Sequence, residues 1–221
     1  MVHVPAIDRS NTADRVAEAL RGMLFAGEIS PGEPLREVAL ADAFDVARST
    51  VREALQVLAT EGLVRRYPNR GVVVTALTEA DIQEIFGARA VLESAGVRAG
   101  VAGADLQGVA AALAAYARAA ESDDQAHATH AHLEFHNSLV ALLGNPRLVA
   151  SAHSLTADLR LGLASVERVR RNAKDQVADH RRLLRLIRSG DETAAVAELD
   201  RHLAAARTSV AARVIGQGDD F

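Results

Sequence analysis

The segment from Val46 to Leu55 constrains the fold of this chain most strongly, because it combines a polar turn with a two-faced helix. Apolar residues recur at helical spacing on one face, which predicts that this face packs into a core. The other face is polar and carries two arginines four residues apart. The inward residues are Val51, Ala54, Leu55 and Leu58, and the outward residues are Arg48, Ser49, Arg52 and Gln56.

The polar face has the chemistry of a DNA-recognition helix. Arginine presents a rigid fork of donors that suits phosphate oxygens and the O6 and N7 atoms of guanine, which favours a DNA-binding role for Arg48 and Arg52. Ser49 and Thr50 can reach phosphates or base edges near the start of the helix. The same spacing also fits an ordinary solvated helix, so the residues that follow are needed to decide.

Those residues indicate a β-hairpin directly behind the helix. Two short β-prone runs, residues 63–67 and 72–74, flank a turn that contains Pro68 and Gly71. A hairpin in this place is typical of the wing of a winged helix. Arg70 and Gly71 lie at its tip, where a side chain can lie along a DNA groove.

Two amphipathic segments precede the recognition helix, with a connector at residues 27–32 between them. Their apolar positions are Val16, Ala19, Leu20 and Met23 in the first and Leu40, Ala41 and Phe44 in the second. The order of helix, Pro-Gly loop, helix, turn, recognition helix and wing resembles the N-terminal domain of GntR-family bacterial transcription regulators. The matching positions include Gly27, Pro31, Gly32, Leu35, Val46, Arg48, residues 51–55, residues 61–64 and Gly71.

Two residues depart from that family pattern around the turn valine. The family usually has Gly before it and Ser after it, where this chain has Asp45 and Ala47. Asp tolerates a left-handed helix C-cap, so the first change is mild. Ala47 lacks the oxygen that would cap the recognition helix, a loss of about 1 kcal/mol unless a neighbour such as Ser49 compensates.

A change of pattern after Thr75 marks a domain boundary. Thr78 can cap a helix that begins near Glu79, with Asp81 completing a capping box. From there the chain is rich in Ala, Leu, Arg and Val at helical period, which predicts about six helices. We therefore expect a mostly α protein, with a winged helix-turn-helix domain over residues 1–76 and an all-helical bundle over residues 77–221.

Length, composition and charge further limit the possible classes of protein. The length of 221 residues suits two domains, and without cysteine the chain cannot form disulfides. The first residues include Pro5, Asp8 and Arg9 instead of a long apolar run, so we expect no signal peptide, no membrane segment and a cytoplasmic protein. The net charge is −4, and residues 1–75 hold nine arginines against ten acidic residues, so bulk charge does not support nucleic-acid binding.

Candidate metal ligands occur in the second region. His132 and His136 are one helical turn apart, a spacing that lets two imidazoles chelate one ion, and His180 and His202 follow on later predicted helices. Spacing alone is weak evidence. The chain contains eight histidines, and a chance pair is an adequate explanation of this spacing.

The whole helical region resembles the FCD effector domain over about residues 77–213. The markers are Arg89, Leu92, Glu93, Phe135, His136, residues 144–146, His180, Gly190, Asp191, His202 and Leu203. Many members of that family hold a divalent metal with one Asp and three His. The resemblance implies that His136, His180 and His202 are the three histidine ligands, and it places His132 at the position of the Asp.

The histidine at that position changes the expected site. Four neutral histidines would leave the full dipositive charge of the ion, favouring zinc or nickel, with manganese possible, over magnesium or calcium. Such a site should also attract an anion more strongly than the Asp version. Alternatively, His132 is not a ligand, and three histidines with open positions remain or the site is lost.

Two arginines are candidates for binding an organic acid. Arg89 on the first bundle helix could pair with a carboxylate of a small effector, or it could form an internal salt bridge with Glu93, four residues on. Arg160 is a weaker candidate of the same kind, for which a surface role is favoured.

Together these features predict a DNA-binding transcription regulator of the GntR family, FadR subfamily. The resemblance implies a homodimer on double-stranded operator DNA, controlled by a small carboxylate bound at the metal site. One alternative is a metal-free regulator that senses acyl-CoA or another large ligand. A metal-dependent hydrolase is disfavoured, because Leu133 stands where metalloprotease helices carry the catalytic Glu.

Overall fold

The computed structural model describes residues 12–68, 70–122, 124–170 and 173–218. Within these residues the protein is mostly α-helical, as the sequence predicts, with one small β-sheet. The chain divides into two compact units after Ala76. Residues 1–11, on which the expectation of no signal peptide depends, lie outside the described part.

The described part of the N-terminal unit, from Thr12 onward, is a winged helix with three helices and three short strands. Its elements are α1 (Thr12–Ala26), β1 (Pro34–Leu35), α2 (Glu37–Phe44), α3 (Arg48–Thr60), β2 (Val64–Tyr67) and β3 (Gly71–Val74). The strands are antiparallel in the order β1-β3-β2, and Tyr67 pairs with Gly71 at the hairpin turn. The predicted hairpin is therefore confirmed. Strand β1 was not predicted, because a strand of two residues is too short to show an alternating pattern in the sequence.

Helix α3 packs as its sequence predicts. Its inward face, Val51, Ala54, Leu55 and Leu58, is at most 1% exposed. It meets a face of α1 formed by Ala13, Val16, Ala17, Leu20 and Leu24. Of the positions expected to be apolar on α1, Ala19 is exposed instead. Burying a Val or Leu side chain contributes about 1.5–3 kcal/mol, so this contact is the main support of the unit.

The turn between α2 and α3 accommodates both departures from the family pattern. Asp45 ends α2 in the left-handed region, with φ 52°, and the Val46 N–H donates to the Ala41 carbonyl at 3.0 Å. Ala47 is the N-cap residue directly before α3, and its side chain makes no cap hydrogen bond. Its carbonyl oxygen accepts from the Thr50 N–H at 3.0 Å instead. The N-terminal N–H groups of the recognition helix therefore have no hydroxyl partner at the cap position.

The C-terminal unit is a bundle of six described helices, the predicted number. They are α4 (Glu79–Val101), α5 (Gln107–Ala119), α6 (Gln125–Ala141), α7 (Pro146–Arg170), α8 (Ala173–Ser189) and α9 (Glu192–Gly218). The capping box is present, since Thr78 Oγ1 accepts from the Asp81 N–H and Asp81 Oδ2 accepts from the Thr78 N–H. A continuous apolar core includes Ile82, Phe86, Phe135, Leu139, Leu159, Leu183 and Leu199.

Helices α4 and α6 approach each other closely at Gly96. A side-chain carbon at this position would overlap the carbonyl oxygen of Leu139 and lie 2.6 Å from its carbonyl carbon. Because main-chain atoms cannot rotate away, only glycine permits this approach. The preceding turn of α4 carries Glu93, which lies against the turn of α6 that carries His136.

A search of the described helices finds none with both the length and the apolar character needed to cross a bilayer.

Candidate functional site

The polar face of α3 is open to solvent. Arg48, Ser49 and Arg52 are exposed and Thr50 is half-buried. Arg70 and Gly71 are exposed at the hairpin turn, where Gly71 has φ 74°. A side chain at Gly71 would be strained by this φ. All six residues expected to contact DNA therefore belong to the recognition helix and the hairpin tip of one compact unit.

One acidic residue, Glu37 on the first turn of α2, reaches the basic face. Its Oε2 atom is 2.8 Å from Nη2 and 3.2 Å from Nε of Arg52. Its Oε1 atom is 3.8 Å from Nη1 of Arg66 on β2. The hydrogen bonds from Arg52 are the main cause of a pKa of Glu37 below its usual value. Sequence reasoning missed Glu37, because no helical spacing links residues 15 positions apart.

The four candidate histidines converge inside the helical bundle. His132 and His136 come from α6, His180 from α8 and His202 from α9. One ring nitrogen from each lies within 4.8 Å of the others. The Nε2 atom of His136 is 3.2 Å from Nε2 of His132 and 3.2 Å from Nε2 of His180. Two nitrogens bound to one ion at about 2.0–2.1 Å lie roughly 3.0–3.4 Å apart, so these separations suit a shared ion.

Hydrogen bonds on the far side of two rings fix which nitrogen faces inward. His180 Nδ1 is 2.5 Å from the carbonyl oxygen of Gln176, which can only accept, so Nδ1 carries the proton. His136 Nδ1 is 2.7 Å from Glu93 Oε2, and an ionised carboxylate likewise only accepts. The two Nε2 atoms then face each other with lone pairs, an arrangement that a cation between them would stabilise.

Burial favours the neutral form of His136, His180 and His202, which is the form that binds metals. Desolvation lowers the pKa of His136 and of His180 well below the usual value. Desolvation, together with the charges of neighbouring groups, lowers the pKa of His202 to about 3. Among the described residues, His202 Nε2 is a buried nitrogen without a hydrogen-bond partner. An unpaired buried polar atom is costly, and a metal bond is one way to satisfy it.

Arg89 and Glu93 support the cluster from α4. Arg89 Nε donates to Glu93 Oε1 at 2.8 Å, and both side chains are 3% exposed. The internal salt bridge considered from the sequence is therefore present. Burial raises the pKa of Glu93, while the charge and hydrogen bond of Arg89 oppose this rise and favour the carboxylate. Arg89 also lies over the ring of Phe86, 5.1 Å from its centroid.

Aromatic rings hold two of the histidines in place. Tyr116 stacks on His132 with ring centroids 5.0 Å apart and planes 14° from parallel. Phe135 meets His180 edge-on at 4.5 Å. The Tyr116 hydroxyl donates to Gln176 Oε1 at 3.1 Å. Sequence reasoning missed Tyr116, since nothing local connects it with a histidine 16 positions later. Arg160 is half-buried and its Nη2 atom lies 2.5 Å from His130 Nδ1.

The donor set fits a transition metal. Four imidazoles of borderline softness suit zinc, nickel, copper or cobalt, whereas magnesium and calcium prefer oxygen ligands. The convergence of the Nε2 atoms and the unpaired nitrogen of His202 agree with this chemistry. The cluster could therefore hold one metal ion.

Comparison with known proteins places both units among bacterial regulators. The family model for bacterial regulatory proteins of the gntR family matches residues 12–74, and the FCD domain model matches residues 84–205, more than half of the chain. The chain belongs to the GntR family. The GntR match covers α1 through β3, and the FCD match covers the four histidines, Arg89 and Glu93.

Individual relatives of this GntR-family protein are also described as transcription regulators. The gluconate operon transcriptional repressor of Bacillus licheniformis is 43% identical over 88 residues, 40% of this chain and 36% of that protein. The Nta operon transcriptional regulator of Aminobacter aminovorans is 31% identical over 140 residues, 62% of this chain and 67% of that protein. A solved structure, described as a transcriptional regulator GntR from Rhodococcus sp. RHA1, has a TM-score of 0.70 and 32% identity, covering 92% of this chain and 97% of that one.

The match to the first of these relatives spans only about a third of that protein's length. The relatives are transcription regulators and not enzymes, which decides against the hydrolase alternative.

Proposed function

We propose that this protein is a cytoplasmic transcription regulator whose affinity for operator DNA is controlled by a small carboxylate bound at a metal site in the helical domain. The observation that carries the proposal is the convergence of four histidines, three of them buried with their Nε2 atoms 3.2 Å from a neighbouring Nε2. Residues 1–76 serve as the DNA-binding domain. Residues 77–221 bind the effector and form the homodimer.

The metal ligands in this proposal are His136, His180 and His202, with His132 as the fourth. A divalent ion bound there supplies a Lewis-acidic positive charge that neutral ligands do not cancel. Zinc or nickel suits the donor set best, and manganese is the next candidate. Glu93 acts behind His136, since a carboxylate on Nδ1 fixes the ring and raises the basicity of Nε2.

Arg89 is the proposed anchor for a carboxylate of the effector. Its Nε atom donates to Oε1 of Glu93, and the guanidinium carries two further nitrogens, Nη1 and Nη2, that can donate to a carboxylate of an effector. The salt bridge and the effector role are therefore compatible. An anion at this place would be attracted by the guanidinium and by the charge of a bound metal in a low-dielectric interior.

DNA binding is assigned to Arg48, Ser49, Thr50 and Arg52 on α3 and to Arg70 and Gly71 at the hairpin tip. Two copies in a homodimer would present two recognition helices to a palindromic operator. The effector changes DNA affinity only if it binds one arrangement of the dimer better than another, and operator DNA must then change effector affinity by the same factor.

The test combines elemental analysis with calorimetry on a panel of mono- and dicarboxylic acids. We expect about one transition metal per chain, binding of at least one acid, and loss of that binding in His136→Ala. The bound acid must also shift the affinity for operator DNA. A metal-free protein that binds acyl-CoA equally well before and after His136→Ala would support the alternative regulator instead. Acids that bind without any effect on operator affinity would refute the proposed coupling.

A further inference from the structure

The carboxylate of Glu37 faces arginines from two other elements of the winged helix. It accepts from Nε and Nη2 of Arg52 on α3, and it lies 3.8 Å from Nη1 of Arg66 on β2. The Glu37 side chain is 18% exposed, whereas Arg52 is 59% exposed. The Glu37 carboxylate is therefore the less exposed partner, and its hydrogen bonds fix the Arg52 guanidinium on the side that faces the protein.

The hydrogen bonds use one particular edge of the Arg52 guanidinium. Arginine has five N–H donors, and Glu37 engages those of the Nε and Nη2 side. The end-on edge, formed by Nη1 and the second Nη2 hydrogen, faces away from this contact. An arginine whose Nε and Nη2 side is bound to a carboxylate can still donate two parallel hydrogen bonds from its end-on edge to O6 and N7 of guanine.

A carboxylate on this face also has an electrostatic effect. DNA phosphates are negative, so Glu37 weakens every contact that relies on charge alone, including contacts with random sequences. Glu37 therefore lowers the affinity for any DNA sequence and at the same time orients one arginine. The combined effect increases the ratio of the affinity for a specific sequence to the affinity for random DNA. Holding the guanidinium in advance also reduces the ordering cost of a base contact.

We propose that Glu37 is a specificity-determining positioning residue, which orients Arg52 toward a base edge and weakens binding to phosphate alone. The inference rests on the proposed DNA-binding function and extends it to a residue outside the recognition helix and wing tip. It makes separate predictions for the charge of Glu37 and for its position.

The experiment measures affinity for two duplexes at several salt concentrations. One duplex is selected from a random pool by the wild-type protein, and the other is a scrambled version of it. Glu37→Gln should bind the scrambled duplex several-fold more tightly, and the ratio of the two affinities should fall about tenfold, the size of one lost base contact. Glu37→Asp keeps the charge but shortens the reach, so it should lower the ratio without tightening binding to the scrambled duplex.

Two controls separate this effect from a general change of charge or fold. Asp42→Asn removes the same charge from an exposed position on the same helix, and it should leave the affinity ratio unchanged. In an Arg52→Ala background, Glu37→Gln should cause no further loss of discrimination, because Glu37 acts through Arg52. Thermal unfolding checks that each variant is folded.

The outcomes are distinct. If the wild-type protein selects no sequence from the pool, the proposed function fails and this inference fails with it. If it selects a sequence but folded Glu37→Gln and Glu37→Asp both discriminate like the wild type, the inference alone is wrong. An equal fall in Asp42→Asn would also overturn it.

Discussion

Two arginine–carboxylate pairs in this protein have similar geometry and opposite surroundings. Arg52 with Glu37 and Arg89 with Glu93 each place a guanidinium nitrogen 2.8 Å from a carboxylate oxygen. Arg52 is 59% exposed, whereas both members of the second pair are 3% exposed. Water screens the first pair, so it contributes little to stability. In the second, the loss of one partner would leave a buried charge without compensation.

The difference shows that solvent exposure decides whether an arginine–carboxylate pair contributes to stability or remains available for binding. The exposed pair leaves one edge of Arg52 available to DNA, since Glu37 engages only the Nε and Nη2 side of the guanidinium. The buried pair is part of the support of the histidine cluster, through the bond from Glu93 to His136. Substitutions in the first pair should therefore change DNA discrimination, and substitutions in the second should change stability and metal binding.

The largest effect is expected from breaking the buried pair. Arg89→Met leaves Glu93 buried beside an apolar side chain and should lower the free energy of unfolding by about 3–5 kcal/mol. Urea unfolding followed by circular dichroism measures the change. The double variant Arg89→Met with Glu93→Gln removes both charges and should lose less than the single variant. A single variant as stable as the wild type would show that the pair is not buried in solution.

The next effect concerns the cluster behind that pair. A metal that binds only the folded state stabilises it by about 2.7 kcal/mol when its free concentration is 100 times the dissociation constant. Chelation should therefore lower the melting temperature of the purified protein, and zinc or nickel should restore it. His202→Ala should abolish this response, whereas His153→Ala, at a half-exposed histidine outside the cluster, should retain it. No shift on adding zinc, nickel or manganese would contradict the metal site.

A smaller effect is expected at the helix contact that brings Glu93 to His136. Gly96→Ala forces a methyl group against the main chain of Leu139 and should cost about 1–3 kcal/mol. Gly87→Ala provides a matched control on the same helix, because no described atom lies within 4 Å of the added carbon. It should be neutral or stabilise α4 by up to about 1 kcal/mol. Equal effects of the two variants in urea unfolding would rule out the close approach.

The smallest effect on stability is expected from the exposed pair. Arg52→Ala should melt like the wild type, since its partner Glu37 can turn to water. Its affinity for the selected operator should nevertheless fall by about tenfold to a hundredfold, with a smaller loss on random DNA, if the arginine reads a base. Arg48→Ala provides the comparison on the same face. Gel-shift titrations that find wild-type operator affinity in both variants would exclude the recognition-helix assignment.

Local sequence patterns predicted the elements of the fold better than the contacts between them. The inward face of α3, the hairpin and the Thr78 capping box are all confirmed, because each depends on residues within a few positions of one another. The two-residue strand β1 gave no such signal. For Arg89 the sequence allowed two hypotheses, an internal salt bridge with Glu93 or a contact with an effector carboxylate, and spacing alone could not separate them.

The candidate site required information from outside any single helix. Spacing linked only His132 with His136, and the family resemblance added His180 and His202. Glu37 with Arg52, and Glu93 with His136, are joined by packing between elements, 15 and 43 positions apart. Periodicity contains no information on such distances.

Gln176 connects two histidines through different parts of one residue. Its main-chain oxygen binds His180 Nδ1, and its side chain binds the hydroxyl of Tyr116, whose ring stacks on His132. A carboxylate in place of His132 would have no ring to stack. In an alignment of relatives, an aromatic residue at the position of Tyr116 should therefore accompany histidine at the position of His132 and become free to vary where that position is acidic. The choice between histidine and an acid at the position of His132 would then be reflected in the residue on α5 that stacks on it.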